Sequence, residues 1–233
     1  MAKANRVEQP DAAEAASRRV PLARLPTAAV EALARTVLEP SDRPGSEASP
    51  GSDHDLNPEI ALPIDGLQRA AVLVPLIERP DGLTVLFTQR ADQLRRHAGQ
   101  IAFPGGGCEA GETAVVAALR EAHEEVDLDP GRVRVAGLAT PYRTLTGYHI
   151  TPVVGFVDPA VALTPNPEEV ADVFEVPFDF LMDAANHQSQ MREFPDGRSR
   201  QVWAMPYQDW HIWGVTAMLI KALHARLFGE AVA

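Results

Sequence analysis

The sequence predicts an α/β sandwich, on three observations. Short apolar, β-branched runs recur between turn sequences. One long amphipathic helix, from about Thr113 to Val126, follows a glycine-rich loop. A second long helical pattern, Trp213 to Phe228, comes last. A chain of 233 residues that is 45% hydrophobic fits one globular domain with appendages.

In chain order, residues 1 to 20 read as loose, and Leu22 to Leu38 is an alanine-rich helical pattern that stops ahead of Pro40. Residues 39 to 58 are rich in Pro, Ser, Gly and Asp without an apolar cluster, the composition of a flexible linker. Residues 1–58 are therefore expected to form an N-terminal extension that is dispensable for activity, and residues 59–233 the folded domain. Arg69 to Ile77 and Leu83 to Arg90 are strand-like runs either side of the turn Arg79-Pro80-Asp81-Gly82, which makes a hairpin. Ala91 to Gln100 then gathers Arg90, Arg95, Arg96 and His97 into the strongest basic cluster of the domain. Guanidinium groups match phosphate oxygens in a two-pronged geometry, so these four are candidates for substrate binding.

Phe103-Pro104-Gly105-Gly106-Gly107 is expected to be a tight loop, because proline and three glycines disfavour any regular element. Past the helix, Val133 to Leu138 and Ile150 to Val157 read as strands, joined by a loop carrying two further substrate-binding candidates, Arg143 and Tyr148. Tyr148 has the chemistry either to stack on a base or to pack. Asp172 to Val176 is a short strand, Phe178 to Ala185 a short helix, and Gln190 to Glu193 with Arg200 to Pro206 a second hairpin. In the final helix Trp213, Val215, Leu219, Leu223 and Leu227 supply apolar positions that pack on the sheet.

A formal charge of −11 disfavours nucleic acid and anionic membranes as partners, and leaves a small anionic substrate that needs a local basic site. The single cysteine, Cys108, permits no intrachain disulfide, and no base stands beside it in sequence to make it a nucleophile. The longest apolar run, Ala70 to Ile77, is interrupted by Pro75, and the first thirty residues lack a secretory core, so a cytoplasmic protein is expected.

The chemistry lies in the central helix. Val115, Leu119, Ala122 and Val126 form its apolar stripe, while Glu121, Glu124 and Glu125 share an arc of roughly 100° on another face. Ala114 and Ala117 fall on that same arc, which leaves it free of bulk beside the carboxylates. Glu121 and Glu125 repel each other at i, i+4, near the end of the helix where the macrodipole disfavours negative charge. A hard divalent cation, Mg²⁺ or Mn²⁺, removes both objections and is commonly completed by substrate phosphates.

Gly106, five residues, Glu112, seven residues, Arg120-Glu121-Ala122-His123-Glu124-Glu125, one residue and Asp127-Leu128 together resemble the Nudix box. Asp127 stands where the pattern has glycine, and Ala122 is small for the aliphatic position; Asp tolerates the left-handed conformation that a helix end needs. Upstream, Leu86-Phe87-Thr88-Gln89-Arg90-Ala91, then Arg95, Gly99 and Phe103-Pro104-Gly105-Gly106 resemble the additional motif of the coenzyme A pyrophosphatase branch. Phe87 and Ala91 replace the usual Leu and Ser.

The resemblance implies a mixed sheet between helices, with the box as loop-helix-loop. It also implies metal-dependent hydrolysis of the pyrophosphate of coenzyme A or its thioesters to 3′,5′-ADP and (acyl-)4′-phosphopantetheine. By it, Glu121 and Glu125 are the primary metal ligands, Glu124 a further one and the Gly106 carbonyl another, with Arg120 and Glu112 orienting the carboxylates. Glu121 and Glu124 are the candidates for the general base. Two alternatives stay open: another nucleoside diphosphate derivative as substrate, and an inactive nucleotide-binding module. A homodimer is compatible with either. Glu168, Glu169 and Glu175 are further acids within folding reach of the metals.

Overall fold

The computed structural model describes residues 25–42, 51–60, 66–94, 97–194 and 196–229. In chain order its elements are α1 (Thr27–Val37), β1 (Gly51–Ser52), α2 (Asp53–Leu56), β2 (Gln68–Arg79), β3 (Gly82–Arg90), β4 (Ile101–Ala102), β5 (Gly105–Gly107) and α3 (Ala114–Val126), followed by β6 (Val133–Leu138), β7 (Tyr142–Arg143), β8 (Tyr148–Val157), β9 (Val170–Pro177), α4 (Phe178–Met182), β10 (Gln188–Glu193), β11 (Ser199–Tyr207), β12 (Trp210–Trp213) and α5 (Val215–Phe228). Among the described residues no helix is long and apolar enough to cross a membrane.

A nine-stranded mixed sheet runs β1-β7-β8-β2-β3-β4, with β5 also paired to β2, β6 to β8 and β9 to β3. Its centre is the parallel pair β2 and β8, in register from Gln68–Tyr148 to Ile77–Val157. Side chains alternate along these strands: Val74, Leu76, Val154 and Phe156 enter one core, while Leu73, Ile77, Val153 and Val157 enter the other. The first core is covered by α1, α4, α5 and the small antiparallel sheet β10-β11-β12, the second by α3. The expected sandwich with a mixed sheet is what forms.

The other side of β2 has two partners. Residues Leu76 to Arg79 pair with β3, and Ala70 to Val72 pair with β5, so the hairpin splays and the glycine segment fills the opening. Leu73 N–H donates to the Pro104 carbonyl at 2.8 Å. Alternate N–H groups of a strand share a direction, so Pro75, which has none, stands where β3 has ended and β5 has not begun. The expected tight loop at Gly105 to Gly107 is thus a short strand. A Cβ on Gly105 would collide with the Ala71 carbonyl oxygen and Val72, so only glycine allows this approach.

Three other expectations change. The buried face of α3 is Ala114, Ala117, Ala118, Ala122, Glu125 and Val126, rotated by about 80° toward the glutamates from the expected stripe, and Val115 and Leu119 are only partly buried. Alanines let the helix lie close on Ala71, Leu73 and Leu86, so the arc free of bulk is the packing face itself. Trp210–Trp213, part of which was expected to begin the last helix, is a strand paired with β11. Within the expected linker, Gly51 and Ser52 pair with Tyr142 and Arg143. Asp53 there accepts hydrogen bonds from the Tyr142 hydroxyl (2.8 Å) and Leu145 N–H (2.7 Å), and Asn57 exchanges two with the Gln201 backbone. The polar composition of this stretch serves specific partners rather than solvent.

Candidate active site

α3 begins at Thr113, whose hydroxyl accepts from Val116 N–H, and ends at Asp127, which adopts φ 56° and ψ 33°. That left-handed residue replaces the usual glycine without loss of the turn, and it returns the chain so that Leu128 is buried against the same core. The acidic end of α3 lies beneath β5. Gly105 N–H donates to Glu125 Oε2 at 3.2 Å, and a Cβ on Gly106 would come within 2.5 Å of the Glu121 carboxyl carbon. The glycines are therefore the condition for strand and carboxylates to touch.

The ladder also decides which carbonyl faces the acids. Leu73 N–H to Pro104 O and Cys108 N–H to Arg69 O are steps of one antiparallel ladder, and the pair between them is Ala71 with Gly106. Gly106 C=O is thereby turned to β2, while Gly105, whose N–H meets Glu125, presents its carbonyl on that same side. The loop carbonyl available to a cation beside Glu125 is that of Gly105, one residue before the expected one.

Arg120 organises the remaining carboxylates. Its Nε and Nη2 grip Glu112 at 2.9 and 3.1 Å, Nη2 also donates to Gly107 O at 2.9 Å, and Nη1 reaches Glu121 at 2.9 Å and Glu124 at 3.0 Å. Glu112 further accepts from Glu109 N–H, and its carboxyl is held below the usual range chiefly by the Arg120 hydrogen bonds. One guanidinium thus ties the loop, its acid and two helix glutamates into a single network.

Glu125 differs from the rest. It is 3% exposed, and burial pushes its carboxyl up to about 8 although Gly105 N–H and Arg90, 3.6 Å away, favour the charged form. Burial raises Glu121 too, and Glu169 at the foot of β9 raises both by like charge. Among the described residues no three such groups already converge in a ligating arrangement. The donor set nevertheless fits a hard divalent cation: it is all oxygen, its carboxylates repel one another, and two of them, Glu121 and Glu125, are raised by burial.

The remaining candidates scatter. Arg90 turns inward to Glu125, and its Nε is buried without a hydrogen-bond partner among the described residues. Arg95 and Arg96 lie outside the described residues. His97 is exposed, at φ 59°, with its ring on Gln100. Arg143 shares the α3 face of the sheet, whereas Tyr148, one pleat from His149 and on the side of Ile150, points to the opposite face. Glu175 is taken by Arg79 and Thr84. Burial raises the Cys108 thiol, as expected for a residue without a nucleophilic role. Sequence reasoning passed over Arg69 and His149, neighbours of Arg143 across the sheet; their register is set by strand pairing, which the sequence does not display.

Gly106→Ala is expected to reduce kcat/KM by at least about 30-fold, through displacement of Glu121. Gly107→Ala, whose methyl meets nothing within 4 Å, should cost less than about threefold. Steady-state kinetics on both variants checks this, and equal losses would refute it.

The NUDIX domain family matches residues 67–196, more than half of the chain. The chain is 41% identical over 170 residues to a protein named uncharacterized Nudix hydrolase NudL from Escherichia coli O7:K1, covering 72% of this chain and 87% of that one. The figures are the same for its namesake from Escherichia fergusonii. Among solved structures, a Nudix hydrolase from M. smegmatis, RenU, has 28% identity and a TM-score of 0.43 over 51% of this chain and 75% of that one. The chain belongs to the Nudix family, and is a pyrophosphate hydrolase of the kind that generally uses divalent metal ions.

Proposed function

We propose that this chain hydrolyses the diphosphate of coenzyme A or its thioesters, releasing 3′,5′-ADP and 4′-phosphopantetheine or its acyl form. The observation that carries the proposal is how the segment from Leu86 to Gly106 meets the box. Arg90 near its start and Gly105 at its end both reach Glu125, one on each carboxylate oxygen. The stretch that resembles the coenzyme A branch is therefore built into the acidic site.

In this reading Glu121, Glu125 and Glu124, with a carbonyl of the glycine strand, hold Mg²⁺ or Mn²⁺, and Glu169 is a further acid within reach. The ion, when bound, supplies neutralisation of the diphosphate charge and a water of lowered pKa. Arg120 aims Glu121 and Glu124 through its Nη1, and Glu112 fixes Arg120. Glu121 and Glu124 are the two residues proposed to accept the water's proton. Arg90 faces Glu125 through its Nη1.

Product analysis by chromatography after incubation with coenzyme A, ADP-ribose, NADH, diadenosine tetraphosphate and 8-oxo-dGTP, with each metal, tests the proposal. Coenzyme A is expected to give 3′,5′-ADP with the highest kcat/KM. Preference for another compound overturns the substrate, and no turnover in folded, metal-supplied protein makes the chain a binding module.

A further inference from the structure

A second charged feature lies across the sheet from the glycine strand. Arg69 on β2 is in register with His149 on β8, and His149 is in register with Arg143 on β7. Residues directly opposite one another on paired strands share a face, so the three side chains form a row. The face is that of α3, because Arg69 alternates with Ala71 and Leu73, and His149 with Val153, which all pack under that helix.

The row begins beside the box. Arg69 Nη2 donates to the Glu112 carbonyl at 3.2 Å, and Arg69 acts electrostatically on Cys108, the residue after the glycine strand. With strands about 4.8 Å apart, the row extends roughly 10 Å from β2 to β7. It leads away from the carboxylates without leaving their face of the sheet.

Its electrostatics are those of a site made for an anion. Burial, and after it Arg143 and Arg69, both cations, lower the pKa of His149. Arg143 is half-buried, and its Nε is buried without a hydrogen-bond partner among the described residues. The two guanidinium groups flank one imidazole and repel each other, and an anion held between them would offset that repulsion.

We infer that Arg143, His149 and Arg69 form a subsite for a phosphate monoester that the substrate carries outside its scissile diphosphate. This deepens the coenzyme A reading and rests on it, for there the group is the 3′-phosphate of the ribose. Arginine supplies the fork that a phosphate dianion accepts, and the imidazole N–H supplies a third donor between the two. Such a subsite separates coenzyme A from ADP-ribose and NADH, whose ribose lacks that phosphate, by leaving the basic row unmatched when they bind.

The experiment compares coenzyme A with dephospho-coenzyme A, identical but for that phosphate, as substrates of the wild-type protein, Arg143→Ala and Arg143→Lys. Wild type is expected to favour coenzyme A by at least about tenfold in kcat/KM. Arg143→Ala should bring the ratio toward one, with Arg143→Lys in between, because the charge remains and the fork is lost. In parallel, equilibrium binding of 3′,5′-ADP and 5′-AMP is measured by calorimetry on the same proteins and on His149→Gln. Tighter binding of 3′,5′-ADP, weakened in the variants, supports the subsite whatever the enzyme turns over. If turnover prefers another substrate while that binding preference holds, the coenzyme A reading fails and the subsite stands. Equal binding of the two nucleotides by wild type, or a preference that survives Arg143→Ala and His149→Gln, overturns the subsite.

Discussion

Glu125→Gln is expected to lower kcat/KM by at least about 10²-fold, roughly 2.7 kcal/mol of transition-state stabilisation, and yet to raise the melting temperature of chelator-treated protein at pH 8. The first effect follows from removing a charged ligand of the proposed metal. The second follows from burial. Glu125 is 3% exposed and its carboxyl is pushed up to about 8 from 4.5, chiefly by desolvation. Below about pH 4.5 both folded and unfolded chains carry the proton, and the neutral group costs little. Between about 4.5 and 8 the folded state keeps a proton that the unfolded chain has released, so stability falls as pH rises across that window. The ceiling on the loss, reached above pH 8, is about 5 kcal/mol. A glutamine does not titrate, so the variant lacks this slope. Thermal unfolding at pH 5 and pH 8, with and without Mg²⁺, reads it directly. If wild type and variant melt together at both pH values without metal, the buried carboxylate is not the source of strain.

Removal of residues 1–58, expected from the sequence to be dispensable for activity, is expected to cost at least about 5 kcal/mol of stability. Val30 and Ala34 are each 1% exposed and Leu38 8%, and all three belong to the core that α5 and Phe156 share. Burial of a Val or Leu side chain stabilises by about 1.5–3 kcal/mol. Glu31 pairs with Arg134 through both carboxylate oxygens, and Glu39 and Leu138 bond each other's backbone in both directions. Without Asp53, the Tyr142 hydroxyl and Leu145 N–H would be left unmatched in a part-buried setting, at about 1–3 kcal/mol. We therefore propose a folded unit that starts at α1 rather than at residue 59. Urea titration of the truncated protein tests this. A midpoint equal to that of the full chain would show that α1 and the Gly51–Asn57 segment are appendages after all.

Local signals were read correctly where a local cause existed. The hairpin of β2 and β3 follows from two β-branched runs and an Arg-Pro-Asp-Gly turn, and β6 has the bounds that its sequence pattern indicated. Asp127 takes the left-handed conformation that the missing glycine demanded. The grouping of Glu112, Arg120, Glu121 and Glu124 was implied by the resemblance to the Nudix box rather than read from spacing, and Arg120 touches all three glutamates. Features set by distant partners were not legible. Asp53 looks like linker until Tyr142 and Leu145, 89 and 92 residues away, are placed beside it. The face of α3 was misjudged because apolar size marks Val115 and Leu119, whereas closeness of approach favours the alanines. Arg69 and His149 become neighbours only once β2 and β8 pair in parallel.

The docking of α1 also bears on how the protein comes to be folded. Val37 O accepts a hydrogen bond from Arg226 Nε at 2.6 Å, across a separation of 189 residues. On a ribosome adding about 5–20 residues per second, that contact cannot form until roughly 10–40 s after Val37 has been joined to the chain. Through that interval Val30, Ala34 and Leu38 are made but lack the α5 surface on which they are finally buried. The first of the described helices to be synthesised is thus among the last to find its place, and the apolar surface it waits for is the kind that chaperones guard.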